Sequence, residues 1–309
     1  MNTIITEEMR FREKVVKFAL KNNNYSEAAR RYHTSRQQVR RWAIKYDGTT
    51  KSLANKSTRP KSHPNAHTQE EIELIKEMYK RHKFEGLAQV YRKLLDKGYK
   101  RTYESMQRQI KKFIDEPKKK PTKYPKSRFK PLKGEYPGQF VEIDVKYVPI
   151  ECIGFKSEYN RYYQITAIDL YTRKRVLQIV NEHSTWTTSQ FLKTLESKMG
   201  FKIELIQTDN GKEFCNDPDS PKSLFEETLC ELGIEYKRTR PYSPWQNGIV
   251  ERSHRIDGEL FYSRRRFKSE EEMYKSISRY NTRYNNIARK VLNFKTPNEM
   301  YEEYINQVA

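Results

Sequence analysis

The spacing of apolar residues changes character several times along this chain. From Phe11 to Tyr46 it has the period of helices. A first helix, Phe11 to Lys21, sets Val15, Phe18 and Ala19 on one face. A second starts at Ser26, read as its N-cap, and the pair Ala28-Ala29 leaves room for a close helix crossing. After a turn at His33-Thr34, a third helix starts at Ser35. Val39, Trp42, Ala43 and Tyr46 share its apolar face, and Gln37, Arg40, Arg41 and Ile44 share the opposite one. Residues 47–66 keep no apolar period and read as a linker.

Helical spacing returns over residues 67–114. Thr68 and Glu71 form a capping box ahead of Ile72, Ile75 and Tyr79. A helix from Leu87 to Lys97 stops at Gly98. Another starts near Thr102, with Met106, Ile110 and Phe113 inside and Arg108, Lys111 and Lys112 outside. Residues 115–138 contain Pro117, Pro121, Pro125, Pro131 and Pro137, which forbid a helix and make a basic second linker.

From Gln139 the pattern is that of strands. Phe140 to Val148 alternates and is rich in β-branched residues, and Tyr162 to Asp169 and Arg175 to Val180 supply hairpin partners. Helix and strand then alternate: helix Thr187 to Met199, strand Ile203 to Gln207, helix Leu224 to Leu232, strand Ile234 to Lys237, and helix from Ile249. This order predicts a mixed sheet flanked by helices over 139–309, with a C-terminal helical extension. The fold class is multidomain: all-α helix-turn-helix regions at 1–46 and 67–114, then an α/β domain of RNase H-like order.

Charge sharpens this division. The 309 residues carry a formal net charge of +21. Residues 1–138 hold 35 Lys/Arg against 15 Asp/Glu, whereas residues 139–309 hold 26 against 25. A polyanion is the expected partner of the first half, because neutralising phosphates releases counterions. On the third helix, Arg36, Gln37, Arg40 and Arg41 suit a recognition helix, since Arg pairs with guanine edges and Gln with adenine edges. Arg108, Lys111 and Lys112 are the matching candidates in the second helical region. The start of the chain lacks a signal-peptide pattern and no run is long enough to span a bilayer, so a cytoplasmic, nucleoid-associated protein is expected. Three widely spaced cysteines predict reduced thiols and no zinc site.

Three acids carry the candidate chemistry. Asp144 lies mid-strand, where Asp is disfavoured without a reason. Asp209 follows a short strand in Thr208-Asp209-Asn210-Gly211. Glu251 lies one turn into a helix. Each has a structural reading alone, as a solvent-facing strand residue, a turn residue or a helix-dipole partner. Together, on rigid elements, they suit a metal-dependent phosphoryl-transfer site.

The segments Val141-Glu142-Ile143-Asp144-Val145, Thr208-Asp209-Asn210-Gly211-Lys212-Glu213-Phe214 and Pro241 to Arg252 resemble the three catalytic motifs of the retroviral-integrase superfamily. More narrowly, they resemble bacterial insertion-sequence transposases, as do Tyr280-Asn281-x-x-Tyr284-Asn285-Asn286 and Lys295-Thr296-Pro297-Asn298-Glu299. The resemblance implies that Asp144, Asp209 and Glu251 bind two Mg²⁺ ions, with Mn²⁺ as a substitute. One ion would activate water and the other stabilise the leaving 3′ oxygen, and the freed 3′-hydroxyl would then attack target DNA. Asn210, Gly211, Asn247 and Gly248 would shape the loops, and Lys237, Arg238 and Arg240 would contact phosphate. Glu142 shares the strand face of Asp144 and is a candidate auxiliary acid.

The implied partners are double-stranded DNA, as element ends and target, and at least a second copy of the chain. Two departures stand out. There are 41 residues between Asp209 and Glu251, more than is usual, with the excess expected in a surface loop at 215–222. The His/His/Cys/Cys module of viral integrases is missing. Three other readings compete: a hydrolytic nuclease, a transposase-derived DNA-binding regulator with a silent core, and a protein-binding adaptor. A nuclease needs no recognition helix, loss of an acid would mark the regulator, and an adaptor leaves the basic half unexplained.

Overall fold

The computed structural model describes residues 5–55, 60, 63–114, 132–217, 220–241 and 243–308. The chain divides into two compact units, Met1–Ala66 and His67–Ala309. Among the described residues no helix is long and apolar enough to cross a membrane.

The first unit is built on three helices, α1 (Glu7–Lys21), α2 (Tyr25–Arg31) and α3 (Arg36–Lys45). Val15, Ala19, Ala28, Ala29 and Val39 form its core, and the two alanines permit the close crossing. The cap of α2 is Asn24 rather than Ser26: its side chain accepts from the N–H groups of Ser26 and Glu27, each at 3.1 Å. Asn caps as well as Ser, and Asn23 (φ 47) supplies the left-handed residue in the turn between α1 and α2.

Part of the expected first linker is also folded. Thr50–Leu53 forms a 3-10 turn and Leu53 is fully buried. Buried Arg12 donates from Nη1 to the Leu53 carbonyl (2.9 Å) and to Asn55 Oδ1 (2.6 Å), while the Thr50 hydroxyl donates to Glu13 (2.6 Å). A single buried leucine has no period, so apolar spacing cannot detect such a segment.

The second unit opens with α4 (Gln69–His82), α5 (Leu87–Asp96) and α6 (Tyr103–Phe113). The capping box of Thr68 and Glu71 is present, and Thr102 caps α6. These helices surround Ile75, Met78, Val90, Leu94, Met106 and Ile110. Phe294 joins the same cluster, with its ring centroid 4.6 Å from Tyr91 and 5.1 Å from Tyr103. The three helices are therefore tied to the C-terminal part of the chain. Residues 115–131, most of the second expected linker, lie outside the described residues.

The sheet contains β1 (Phe140–Tyr147), β2 (Tyr163–Asp169), β3 (Arg175–Val180), β4 (Leu205–Thr208) and β5 (Glu235–Arg238), in the order β3-β2-β1-β4-β5. β1, β2 and β3 pair antiparallel, while β4 pairs parallel with both β1 and β5. This is the mixed topology of an RNase H-like fold. Val141 and Ile143 point into a core shared with α7 (Thr185–Met199) and α8 (Leu224–Leu232). The alternate residues of β1 face the other side, covered by α9 (Gly248–Leu260) and α10 (Glu270–Asn285); α11 (Pro297–Val308) ends the unit.

Gly138 delivers the chain into β1. Its φ is +85°, and a Cβ there would meet the Lys202 carbonyl oxygen at 1.9 Å. Its N–H donates to Asp169 (2.9 Å) and its carbonyl accepts from Glu204 N–H (2.9 Å), so one residue pins β1 between the hairpin and β4.

A buried polar network fixes α9 and α10 to the sheet. Arg175 of β3 is fully buried and donates from Nη1 to Asp257 (2.8 Å) and Ser253 (2.9 Å) of α9. The Tyr280-Asn281-x-x-Tyr284-Asn285 segment wraps it from α10. Tyr280 donates to Asp257 (2.7 Å), Asn281 accepts from Arg175 Nε (3.2 Å), and the Tyr284 ring stacks 3.7 Å from the guanidinium. Asn285 makes a two-way bond to the Arg175 backbone (2.9 and 2.8 Å). Burial pushes the Asp257 carboxyl up, but the Arg175 charge and the donors around it outweigh that and hold it low.

Candidate active site

β1 builds the site from alternate positions. Glu142 is buried, and its Oε2 accepts from the N–H groups of Ile249 (3.0 Å) and Val250 (2.9 Å). It therefore satisfies the first turn of α9, the helix carrying Glu251. Through this carboxylate oxygen the candidate auxiliary acid of the sequence holds the start of α9. Burial raises its pKa to about 7, against the pull of those two N–H groups.

Asp144, one residue pair along, is half-buried. Its Oδ1 accepts from Val145 N–H (2.9 Å), and its Oδ2 lies 3.2 Å from His254 Nδ1. The other His254 nitrogen meets the Thr166 hydroxyl at 3.0 Å. Thr166 is the cross-strand partner of Asp144, so β2 and α9 together hold the imidazole against the acid.

Asp209 follows β4 directly. β1 and β4 pair Glu142 with Gln207, and extending that parallel register two residues sets Asp209 level with Asp144. Neighbouring strands are about 4.8 Å apart. Asp209 Oδ1 accepts from Gly211 N–H (3.0 Å), which closes the turn. Asn210 donates to the Thr239 carbonyl (2.9 Å) and ties that turn to the chain beyond β5. A Cβ at Gly211 would come within 2.4–2.7 Å of the buried Glu213 carboxylate, so a side chain there would displace Glu213. Glu213 in turn contacts His183 (2.9 Å), whose ring stacks on Tyr163 at 4.8 Å.

Glu251 lies on the exposed side of the first turn of α9. The approach to it is a 3-10 turn, Pro244–Asn247. Buried Asn247 donates to the Ile143 carbonyl (3.2 Å), and Gln207 donates to the Gln246 carbonyl (2.8 Å). β1 and β4 thus both grip this turn. Gly248 starts α9 with open space around it, so it meets no steric demand of the Gly211 kind.

Asp209 and Glu251 both feel the other acids nearby. Burial raises the Glu251 carboxyl, and the charges of Asp144 and Asp209 raise it further. Asp209 is raised by burial and then by Asp144 and Glu213. Among the described residues no lysine or arginine forms an ion pair with any of the three. Nor do any three His, Cys, Asp or Glu side chains among them stand close enough to hold one ion as a ready-made cage. The donors are oxygens carrying mutually repelling charges, which suits a hard divalent cation.

The expected DNA-contact residues are at the surface. Arg36, Gln37, Arg40 and Arg41 are exposed on α3, whose Val39 is buried. Arg108, Lys111 and Lys112 are exposed on α6. Lys237 and Arg238 lie exposed on the edge strand β5, where Arg238 reaches the Asn216 carbonyl (3.4 Å); Arg240 is exposed beyond it. In the expected surface loop, residues 218 and 219 lie outside the described residues. His254, Thr166, His183, Glu213 and the Arg175 network were missed by sequence reasoning. Only His254 left a signal: three residues after Glu251, it shares its side of the helix.

Fold and site define a class of protein. Residues 134–244 and 232–291 each match an integrase core domain family, and residues 11–61 match a helix-turn-helix domain family. The chain carries an integrase-type core joined to a helix-turn-helix domain. Among particular proteins, it is 31% identical over 105 residues to the transposase for insertion sequence element IS4351 of Bacteroides fragilis, covering 34% of this chain and 29% of that protein. It is 29% identical over 169 residues to the putative integrase ORF3 of Spiroplasma virus SpV1-C74, covering 51% and 46%. The match thus spans under half the length of either relative. Among solved structures, a chain of the simian T-cell lymphotropic virus intasome in complex with PP2A regulatory subunit B56 gamma aligns with a TM-score of 0.45 and 17% identity, over 72% of this chain and 74% of that one. The HTLV-2 integrase catalytic core domain in complex with magnesium (dimeric form) gives 0.40 and 17%, over 55% and 99%.

Proposed function

We propose that this chain is a DNA transposase that binds the ends of a mobile element, cleaves at their 3′ ends and joins them to target DNA. The observation that carries this reading is the placement of Asp144, Asp209 and Glu251. None of these carboxylates on β1, β4 and α9 pairs with a lysine or arginine among the described residues; Asp144 raises both Asp209 and Glu251, and Asp209 raises Glu251, inside the matched integrase core. Asp144, Asp209 and Glu251 would hold divalent cations, Mg²⁺ or Mn²⁺, which when bound supply Lewis-acid stabilisation of charge at the scissile phosphate.

The chain's own residues do the rest. Asn247 and Glu142 fix the start of α9 so that Glu251 meets the strand acids. His254, held by Thr166, restrains the Asp144 side chain. The turn closed by Gly211 and Asn210 orients Asp209. Arg36, Gln37, Arg40 and Arg41 on α3 read the element's end, and α6 adds Arg108, Lys111 and Lys112 to the phosphate contacts. Joining two ends calls for at least two copies of the chain on DNA.

The test is strand cleavage and joining on a labelled duplex carrying the element's end, with Mg²⁺, comparing the natural chain with Glu251→Gln. Metal-dependent nicking and joined products, lost in the variant, support the reading. Sequence-selective binding without cleavage under any divalent ion replaces it with the regulator that keeps a silent core.

A further inference from the structure

A groove of about 700 Å³ lies in the second unit, between the α4–α5 connection and the helices α9 and α10. Its floor is apolar, with Ile256, Leu260 and Phe261 of the α9 segment and Phe84 opposite. Its rim is arginine. Arg264 stacks 4.2 Å from the Phe84 ring centroid, and Arg265 stacks 4.7 Å from that of Phe261. Arg289 lies 3.9 Å from the Tyr284 ring, and its buried Nε has no hydrogen-bond partner. A second hollow of about 150 Å³ shares Arg265 and Arg283 with the groove and adds Arg279.

One carboxylate lines the groove among the described residues. It is Glu85, and it is already engaged by Arg283 and by His82 (2.8 Å). The positive charge of the rim is otherwise unanswered. A guanidinium packed face-down on an aromatic ring leaves its N–H edge free, and that edge matches two phosphate oxygens. An apolar floor between such edges suits deoxyribose and base faces, which alternate with phosphates along a strand.

We propose that this groove seats the sugar-phosphate backbone of a DNA strand. The inference rests on the transposase reading and extends it, by naming a surface outside both helix-turn-helix regions and outside the acids. From Glu251 to Leu260, α9 runs about 13 Å along its axis. At about 3.6 residues per turn Leu260 also lies roughly half a turn around α9 from Glu251, so the groove is a DNA-binding surface separate from the acids.

The test measures the full chain's affinity for a short random-sequence duplex, and for its single strand, across a salt series. Three proteins are compared: the natural chain, Arg265→Gln with Arg279→Gln, and a control of equal charge change, Lys156→Gln with Lys193→Gln. All four residues are exposed, so thermal melting should match across the three. Each lost phosphate contact lowers the slope of log affinity against log salt by about 0.9 on duplex. The groove variant should lose close to two such contacts on at least one of the two DNAs, and the control none. Equal slopes for groove variant and control on both DNAs overturn the proposal, while leaving cleavage by the natural chain, and so the transposase reading, intact. A natural chain that binds neither DNA also overturns the proposal, and cleavage of the element's end by the natural chain then decides the transposase reading separately.

Discussion

The helix α9 carries two acidic clusters that answer burial in opposite ways. Asp257 sits deep against Arg175, with donors from Tyr280 and Gln164, and its carboxyl is held low. Glu251, six residues earlier on the same helix, faces Asp144 and Asp209 with no cationic partner beyond an imidazole, and its carboxyl is raised. One cluster is satisfied internally and serves the fold. The other has no lysine or arginine partner among the described residues, and carboxyls raised in this way are commoner at functional sites than in structural ion pairs. The lesson is that the kind of partner, rather than burial itself, separates the two.

The sharpest way to break this comparison is to swap the expected losses. Glu251→Gln should lower strand cleavage by at least about a thousandfold, roughly 4 kcal/mol in the barrier. Its unfolding midpoint in urea should stay or rise slightly, because one of three repelling charges is gone. Full cleavage by this variant would remove Glu251 from the chemistry. Asp257→Asn should do the reverse in kind: about 3 kcal/mol of folding stability lost, since Arg175 is left buried without its counter-charge. Adding Arg175→Met to it should restore part of that loss, and no recovery would mean that the cluster is not held as a pair.

A smaller effect concerns pH. The depressed Asp257 carboxyl contributes stability that is present above the ordinary carboxylate range and lost as pH falls through its lowered folded value. Urea unfolding at a series of acid pH values should therefore show a shallower acid limb for Asp257→Asn than for the natural chain. Identical limbs would mean that Asp257 does not govern acid stability. The smallest effect is cation binding: saturating Mg²⁺ should raise the melting temperature by roughly 2–4 °C per kcal/mol of linkage. That rise should shrink in Asp209→Asn, and an undiminished rise would put the bound ion elsewhere.

Much of the fold was legible because it depends on period and punctuation. Val141 and Ile143 alternate with Glu142 and Asp144, Gly200 and Gly233 stop α7 and α8, and Thr68 with Glu71 starts α4. The missed features share a cause. The burial of Leu53 against α1, the seat of Phe294 beside Tyr91, and the capping of α9 by Glu142 are pairings between residues far apart in the chain. No local pattern encodes such a meeting. Glu142 is the clearest case: strand alternation sets its face beside Asp144 but is silent on the two N–H groups that occupy it.

By itself the sequence determined that strands and helices alternate after Gln139, that the basic excess lies in the first half, and that three acids stand on elements able to hold them. These follow from side-chain chemistry and spacing, which act locally. Tertiary structure alone decided that Asp209 lies within electrostatic reach of Asp144, that His254 rather than a lysine answers Asp144, and that the Tyr280–Asn285 segment wraps Arg175 instead of joining the acids. Strand register and helix docking set those outcomes, because electrostatic partners are chosen by distance in space and not by distance along the chain.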